Sequence, residues 1–185
     1  HNGQPTGAQN NATTENGAYT LTPDAIANNS VTRDTGARWA VPSEDEWYKA
    51  AYHQPASQGG DADDYWLYPT SSNSIPTTAQ ANCDSTISNT TPVGWYPANF
   101  YGAFDMSGNM WEWNEAILSG SERGLRGGSF SLLGDLATFS ASDSRGYFDS
   151  TNESIGYGFR VVQVPGPSSV VAMASLTPTD CEGLM

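Results

Sequence analysis

The chain of 185 residues carries 20 acidic side chains against 7 basic ones, a formal net charge of −13 and a sequence pI near 4.1. Neutralising phosphate needs a surplus of Lys and Arg, so this balance argues against a nucleic-acid binder and against a polybasic membrane-surface protein. With 6 Trp and 9 Tyr the chain is too aromatic for a disordered acidic tail, and a compact fold of this length removes roughly 70% of the unfolded surface from water.

Residues 1–30 are polar and broken by Gly3, Pro5, Gly7, Gly17 and Pro23, with one short helix expected around Pro23–Asn28. Ser43-Glu44-Asp45-Glu46 has the pattern of a capping box, and three acids in a first turn suit the positive end of a helix dipole. Trp47, Ala50 and Ala51 follow at i, i+3 and i+4 as a buried stripe, Lys49 faces out and Pro55 bounds the helix. Residues 55–100 read as one irregular region, because Pro69, Pro76, Pro92 and Pro97 interrupt every candidate strand. A loop region of that length needs buried aromatics or a bound cation to order it. Short strands are expected at Met110–Trp113, Arg126–Phe130 and Gly158–Val162, with an extended linker from Val164. Cys83 and Cys181 are too few for a disulfide framework, and whether they pair stays open. No apolar run approaches the ~20 residues of a membrane span. Acidity, few Lys and a surface rich in Asn, Thr and Ser suit an exported bacterial protein, extracellular or on the cell surface.

The stretch Asp105-Met106-Ser107-Gly108-Asn109-Met110-Trp111-Glu112-Trp113 is the most informative for chemistry. Asp105 and Glu112 supply hard carboxylate oxygens, and Gly108 can turn carbonyls inward. Ca²⁺ takes 6–8 oxygen ligands in a forgiving geometry, so this turn is a plausible cage; the plainer reading is two solvated acids. Trp111 and Trp113 read as core. Asp135, Asp143 and Asp149 are candidates for acid–base work, with solvated surface acids as the plainer alternative.

Four motifs in order carry a resemblance: Val41–Ala51, Gly102–Trp113, Arg126-Gly127-Gly128-Ser129-Phe130 and Gly158-Phe159-Arg160-Val161. Together they resemble the formylglycine-generating enzyme, or sulfatase-modifying factor, family. The resemblance implies an α+β chain in that family's variant of the C-type-lectin-like fold, with little regular secondary structure and without its N-terminal portion. Residues 1–164 would form this partial domain, and 165–185 a Pro/Ser linker with a sorting-tail-like end. It implies a structural Ca²⁺ on Asp105, Gly108, Met110 and Glu112. A second calcium site starting at Asn82-Cys83 is not expected, since the Asp-Gly-aromatic portion that should complete it is absent. The two positions that hold copper through Cys in the family's oxidases are Leu132 and Ala137 here, and hydrocarbon offers Cu(I) no soft ligand. A related branch uses iron held by several histidines, and His1 and His53 are too few. Arg126 and Arg160 are expected in carboxylate pairs, and Arg145 also aligns with a family arginine. Val164-Pro165-Gly166-Pro167-Ser168-Ser169 resembles the opening of PEP-CTERM sorting tails, but Pro178, Asp180 and Glu182 interrupt the apolar run after it and argue against membrane anchoring. The resulting expectation is a non-catalytic extracellular module stabilised by Ca²⁺. Its expected partners are further copies of itself or an N-terminal companion segment, and a glycan or surface polymer as ligand. An enzyme of the same family is the alternative.

Overall fold

Ser43 opens the longest helix by the mechanism its sequence encodes. Its hydroxyl accepts the Glu46 N–H at 3.1 Å, and the Glu46 carboxylate accepts the Ser43 N–H at 2.7 Å. Two backbone donors are thereby satisfied reciprocally at the helix start. The computed structural model describes residues 17–131 and 136–164. Along the chain these form α1 (Pro23–Ala27), β1 (Trp39–Ala40), α2 (Glu44–Tyr52), a 3-10 turn (Ala56–Gln58), β2 (Trp111–Ser119), β3 (Glu122–Arg126), α3 (Leu136–Phe139), β4 (Gly146–Asp149), β5 (Tyr157–Phe159) and β6 (Val162–Gln163). The chain is α+β with low helix content, and the sorting-tail reading of 165–185 lies outside the described residues.

The residues fall into two compact units. In the smaller, β1 pairs antiparallel with β6, Trp39 opposite Gln163 and Ala40 opposite Val162, and Tyr19 bridges to Arg33. The larger, Pro23–Ser30 with Val41–Val161, holds a four-stranded sheet in the order β4-β3-β2-β5. The hairpin β2–β3 is antiparallel with Glu112 opposite Arg126 and Trp113 opposite Leu125, and its register shifts beyond Trp113. On the other side β5 runs parallel to β2 and sets Glu112 against Gly158.

The core of the larger unit gathers Trp47, Ala51 and Tyr52 from α2 with Met106, and Tyr48 and Tyr65 pack at its edge. Each large side chain removed from water here contributes about 1.5–3 kcal/mol. Ala50, expected in the buried stripe, is only half-buried. Tyr52 is fully buried instead, because its hydroxyl donates to the Ser140 and Ala141 carbonyls at 3.1 and 3.3 Å and so carries its polar end into the core. Burial pushes its phenol well above the usual range, against the opposing pull of Arg126.

Three strand expectations change. The strand expected at Arg126–Phe130 instead ends at Arg126, because Gly127 and Gly128 take φ of +92° and +78° and turn the chain out of the sheet. The one expected at Met110–Trp113 continues to Ser119. The one expected at Gly158–Val162 divides between β5 and β6, which belong to different sheets. Residues 59–100 contain no helix or extended strand. They are ordered by the buried rings of Tyr68 and Tyr96 and by side chains that bond backbone. Asn99, for example, donates to the Ala50 carbonyl at 2.7 Å while its own oxygen accepts the N–H groups of Tyr101 and Ala103.

Candidate metal and ligand site

Left-handed backbone shapes the turn that carries the candidate ligands. Asp105, Gly108 and Asn109 take φ of +55°, +71° and +63°, a region that glycine enters freely and Asn or Asp tolerate. Gly108 is fixed by contact as well as by conformation, since a Cβ there would stand 2.3 Å from the Asn82 carbonyl oxygen. The approach is this close because the turn is stitched to its neighbours by backbone bonds: Asn109 N–H to the Asn82 carbonyl, Gly108 N–H to that of Gly127, and Phe130 N–H to that of Asn109. The buried Asn109 side chain adds a further knot, accepting from Asn82 Nδ2 at 3.1 Å and from the Thr91 N–H at 2.9 Å. Sequence reasoning passed over Asn109; its signal was the Gly-Asn pair, whose second residue suits positive φ.

Asp105, Met110 and Glu112 line one cavity of about 290 Å³, with Phe104, Phe159 and Arg160 among its other walls. Gly108 sits between them in the chain, and its carbonyl accepts the Met110 N–H at 2.8 Å, which leaves a second lone pair. The two carboxylates differ sharply. Glu112 Oε2 accepts from Trp47 Nε1 at 2.6 Å and from Arg160 Nε at 2.5 Å, and Oε1 accepts from Arg160 Nη2. Among the described residues Asp105 Oδ2 accepts only the Gly94 N–H at 3.2 Å, and Asp105 Oδ1 is buried without a hydrogen-bond partner. The Arg160 guanidinium therefore offsets the Glu112 charge and leaves that of Asp105 uncompensated among the three. An orphaned carboxylate oxygen is costly in a protein interior. All donors here are hard oxygens, which fit a Ca²⁺-type cation and not a soft one. No cluster of three or more His, Cys, Asp or Glu exists among the described residues, so a cation here needs the Gly108 and Met110 carbonyls to build its shell.

The other residues singled out from the sequence have ordinary structural work. Arg126 is paired with Glu44, Nε to Oε1 at 2.7 Å, donates to the Ser142 and Ser144 carbonyls, and lies over the Tyr48 ring. Arg145 is 3.8 Å from the same Glu44 oxygen. Both the Arg126–Glu44 pair and Arg160–Glu112 match the expectation of arginine–carboxylate pairing. Asn82 is buried beneath the turn. Cys83 is a buried thiol, pushed up to about 11 by burial and secondarily by Asp84, while Cys181 lies outside the described residues. His53 stacks on Tyr101 and shares a hydrogen bond with its hydroxyl through Nδ1; His1 lies outside the described residues. Ala137 is in α3, and Leu132 and Asp135 lie outside the described residues. Asp143 is exposed. Asp149 accepts from the hydroxyls of Ser121 and Thr151 and from the Thr151 N–H, which hold its carboxyl at about 2.

The sulfatase-modifying factor enzyme 1-like domain family matches residues 10–165. Hercynine oxygenase of Mycolicibacterium thermoresistibile is 33% identical over 134 residues, covering 54% of this chain and 27% of that protein. The chain thus spans about a quarter of the length of this curated relative. CarF superposes with a TM-score of 0.54 at 24% identity, over 73% of this chain and 52% of CarF. Treponema denticola variable protein 1 superposes with a TM-score of 0.51 at 24% identity, over 78% of this chain and 54% of its own. Likeness at that identity speaks for the fold alone.

Proposed function

The chain belongs to the family of sulfatase-modifying factor enzyme 1-like domains, and from that premise we propose that it is a non-catalytic extracellular module. In this reading a Ca²⁺ held by Asp105, Gly108, Met110 and Glu112 stabilises a scaffold. Its irregular loops then face a ligand, a glycan first among them, or pack against further copies or a companion segment in a surface assembly. The observation that carries the calcium half is that Asp105 shares a cavity with Glu112 while, among the described residues, no basic side chain pairs with it as Arg160 pairs with Glu112. Bound there, the ion would compensate the Asp105 charge and tie the turn together, while Arg160 keeps Glu112 oriented.

The non-catalytic half rests on donor chemistry. The positions that the resemblance assigns to copper thiolates are Leu132 and Ala137, and the one cysteine among the described residues is a buried thiol with a raised pKa, poorly suited to form a thiolate. The exposed rings of Trp95, Phe104 and Phe159 supply apolar faces of the kind that ligand sites use. Incubation of the chain with copper salt and a cysteine-containing peptide tests this half: the peptide is expected to remain unconverted beyond a copper-only control, and catalytic conversion of its cysteine would refute it.

An enzyme is the competing reading, favoured by the match to hercynine oxygenase. Tight metal binding linked to oxygen consumption would select it.

A further inference from the structure

Among the described residues three buried side-chain atoms find no hydrogen-bond partner: Thr70 Oγ1, Asn82 Oδ1 and Asp105 Oδ1. Two of these three belong to residues that wall the same small cavity. It lies between Pro69-Thr70 and the turn Asp105-Met106-Ser107, and leaves about 10 Å³ for a water's centre. That is about the room one water needs.

We propose that a single water molecule is built into this cavity, accepting from the Thr70 hydroxyl and donating to Asp105 Oδ1, and that it fastens the Pro69-Thr70 loop to the Asp105 turn. An ionised carboxylate only accepts, whereas a hydroxyl both donates and accepts. A bridging molecule must therefore donate to Asp105, and water does so while satisfying Thr70 as well. Its alternative, a hydroxyl and a carboxylate oxygen both bare in one cavity, combines two desolvation costs.

The remaining walls explain why the occupant is a neutral water and not an ion. Asn99 Oδ1 already accepts two N–H groups. Gln80 Oε1 accepts the N–H and the hydroxyl of Thr77, and Ser107 Oγ is bonded to Ser140 Oγ at 2.6 Å. A hard cation seeks six or more oxygens, and these side-chain oxygens are engaged elsewhere. The water is independent of the calcium reading, because a carboxylate oxygen has two acceptor positions and the water occupies one of them. It gives Thr70 a role in positioning: through the water the residue would hold one Asp105 carboxylate oxygen while the Gly94 N–H holds the other.

A crystal structure of the full chain, refined at a resolution that resolves ordered water, tests this directly. The expected result is one peak within about 2.7–3.2 Å of both Thr70 Oγ1 and Asp105 Oδ1, lost in the Thr70→Val variant. An empty cavity, or a peak with several oxygens at about 2.3–2.6 Å as a cation would have, overturns it. Urea unfolding supplies a second readout. Thr70→Val lowers the midpoint in the native chain, and that drop shrinks by at least about half in an Asp105→Ala background. Equal drops in both backgrounds would also overturn the proposal.

Discussion

Replacing Glu112 by Gln tests the packing logic of the larger unit at its most charged point. The Glu112 carboxylate is held by two Arg160 nitrogens and by Trp47 Nε1, and the Glu112 and Arg160 side chains are only 11% and 23% exposed. Leaving one partner of a buried pair uncompensated costs about 3–5 kcal/mol. Glutamine retains one oxygen for Trp47 but turns an amide donor toward a guanidinium, so Glu112→Gln is expected to cost about 2–3 kcal/mol and Glu112→Ala about 3–5. Against a total of about 5–15 kcal/mol for a domain, the alanine variant is close to unfolding. Urea titration followed by tryptophan fluorescence reads the change, and Trp47 itself reports on the broken bond. Arg160→Ala should be destabilising on its own, yet the Glu112→Ala/Arg160→Ala double variant should lose less than the sum of the singles by about 1–3 kcal/mol. The coupling between Glu112 and Arg160 should persist in EDTA, since the pair itself needs no ion. A Glu112→Gln loss below about 0.5 kcal/mol, the scale of a surface ion pair, or strict additivity of the double variant, would refute the reasoning.

Gly108→Ala combines positive φ with a Cβ 2.3 Å from the Asn82 carbonyl oxygen, so a loss of about 2–5 kcal/mol is expected in urea unfolding. Gly102→Ala has the same sign of φ but nothing within 4 Å of its Cβ, and should cost only about 1 kcal/mol. Asp149 gives a pH signature. Its carboxyl lies at about 2 in the folded chain against an ordinary 3.8, through the Ser121 and Thr151 hydroxyls and the Thr151 N–H. A depressed folded pKa contributes stability that is complete above the unfolded value and is lost as pH falls from 3.8 toward about 2. Asp149→Asn should flatten the fall in urea midpoint across that window, and an unchanged slope would count against it.

The helix at Glu44–Tyr52 was legible because local rules agreed there: a capping box, first-turn acids and a terminating Pro55. The irregularity of 55–100 was legible from its prolines, apart from the 3-10 turn Ala56–Gln58 at its start. The ends of the strands were not, because they depend on tertiary partners. Gly127-Gly128 looks like a flexible spot within a strand in one dimension and acts as its terminus in three, where Gly127 carries the carbonyl that receives Gly108. Of the four candidate positions, the gathering of Asp105, Met110 and Glu112 on one cavity followed from a motif. The unequal state of the two carboxylates did not, since Trp47 lies 65 residues from Glu112 and Arg160 lies 48. Glu44 shows the same limit: its sequence suggests a helix-dipole acid, and the fold makes it the partner of Arg126 and an acceptor for Asn114 Nδ2.

Calorimetric titration of the EDTA-stripped full chain with CaCl₂, paired with its thermal unfolding midpoint, tests the scaffold reading at its centre. One saturable site is predicted, with stability rising by about 2.7 kcal/mol at a hundred times Kd, and both effects should vanish in Asp105→Ala. A stripped chain that neither takes up Ca²⁺ nor gains stability in its presence, or binding that persists undiminished in Asp105→Ala, would contradict it.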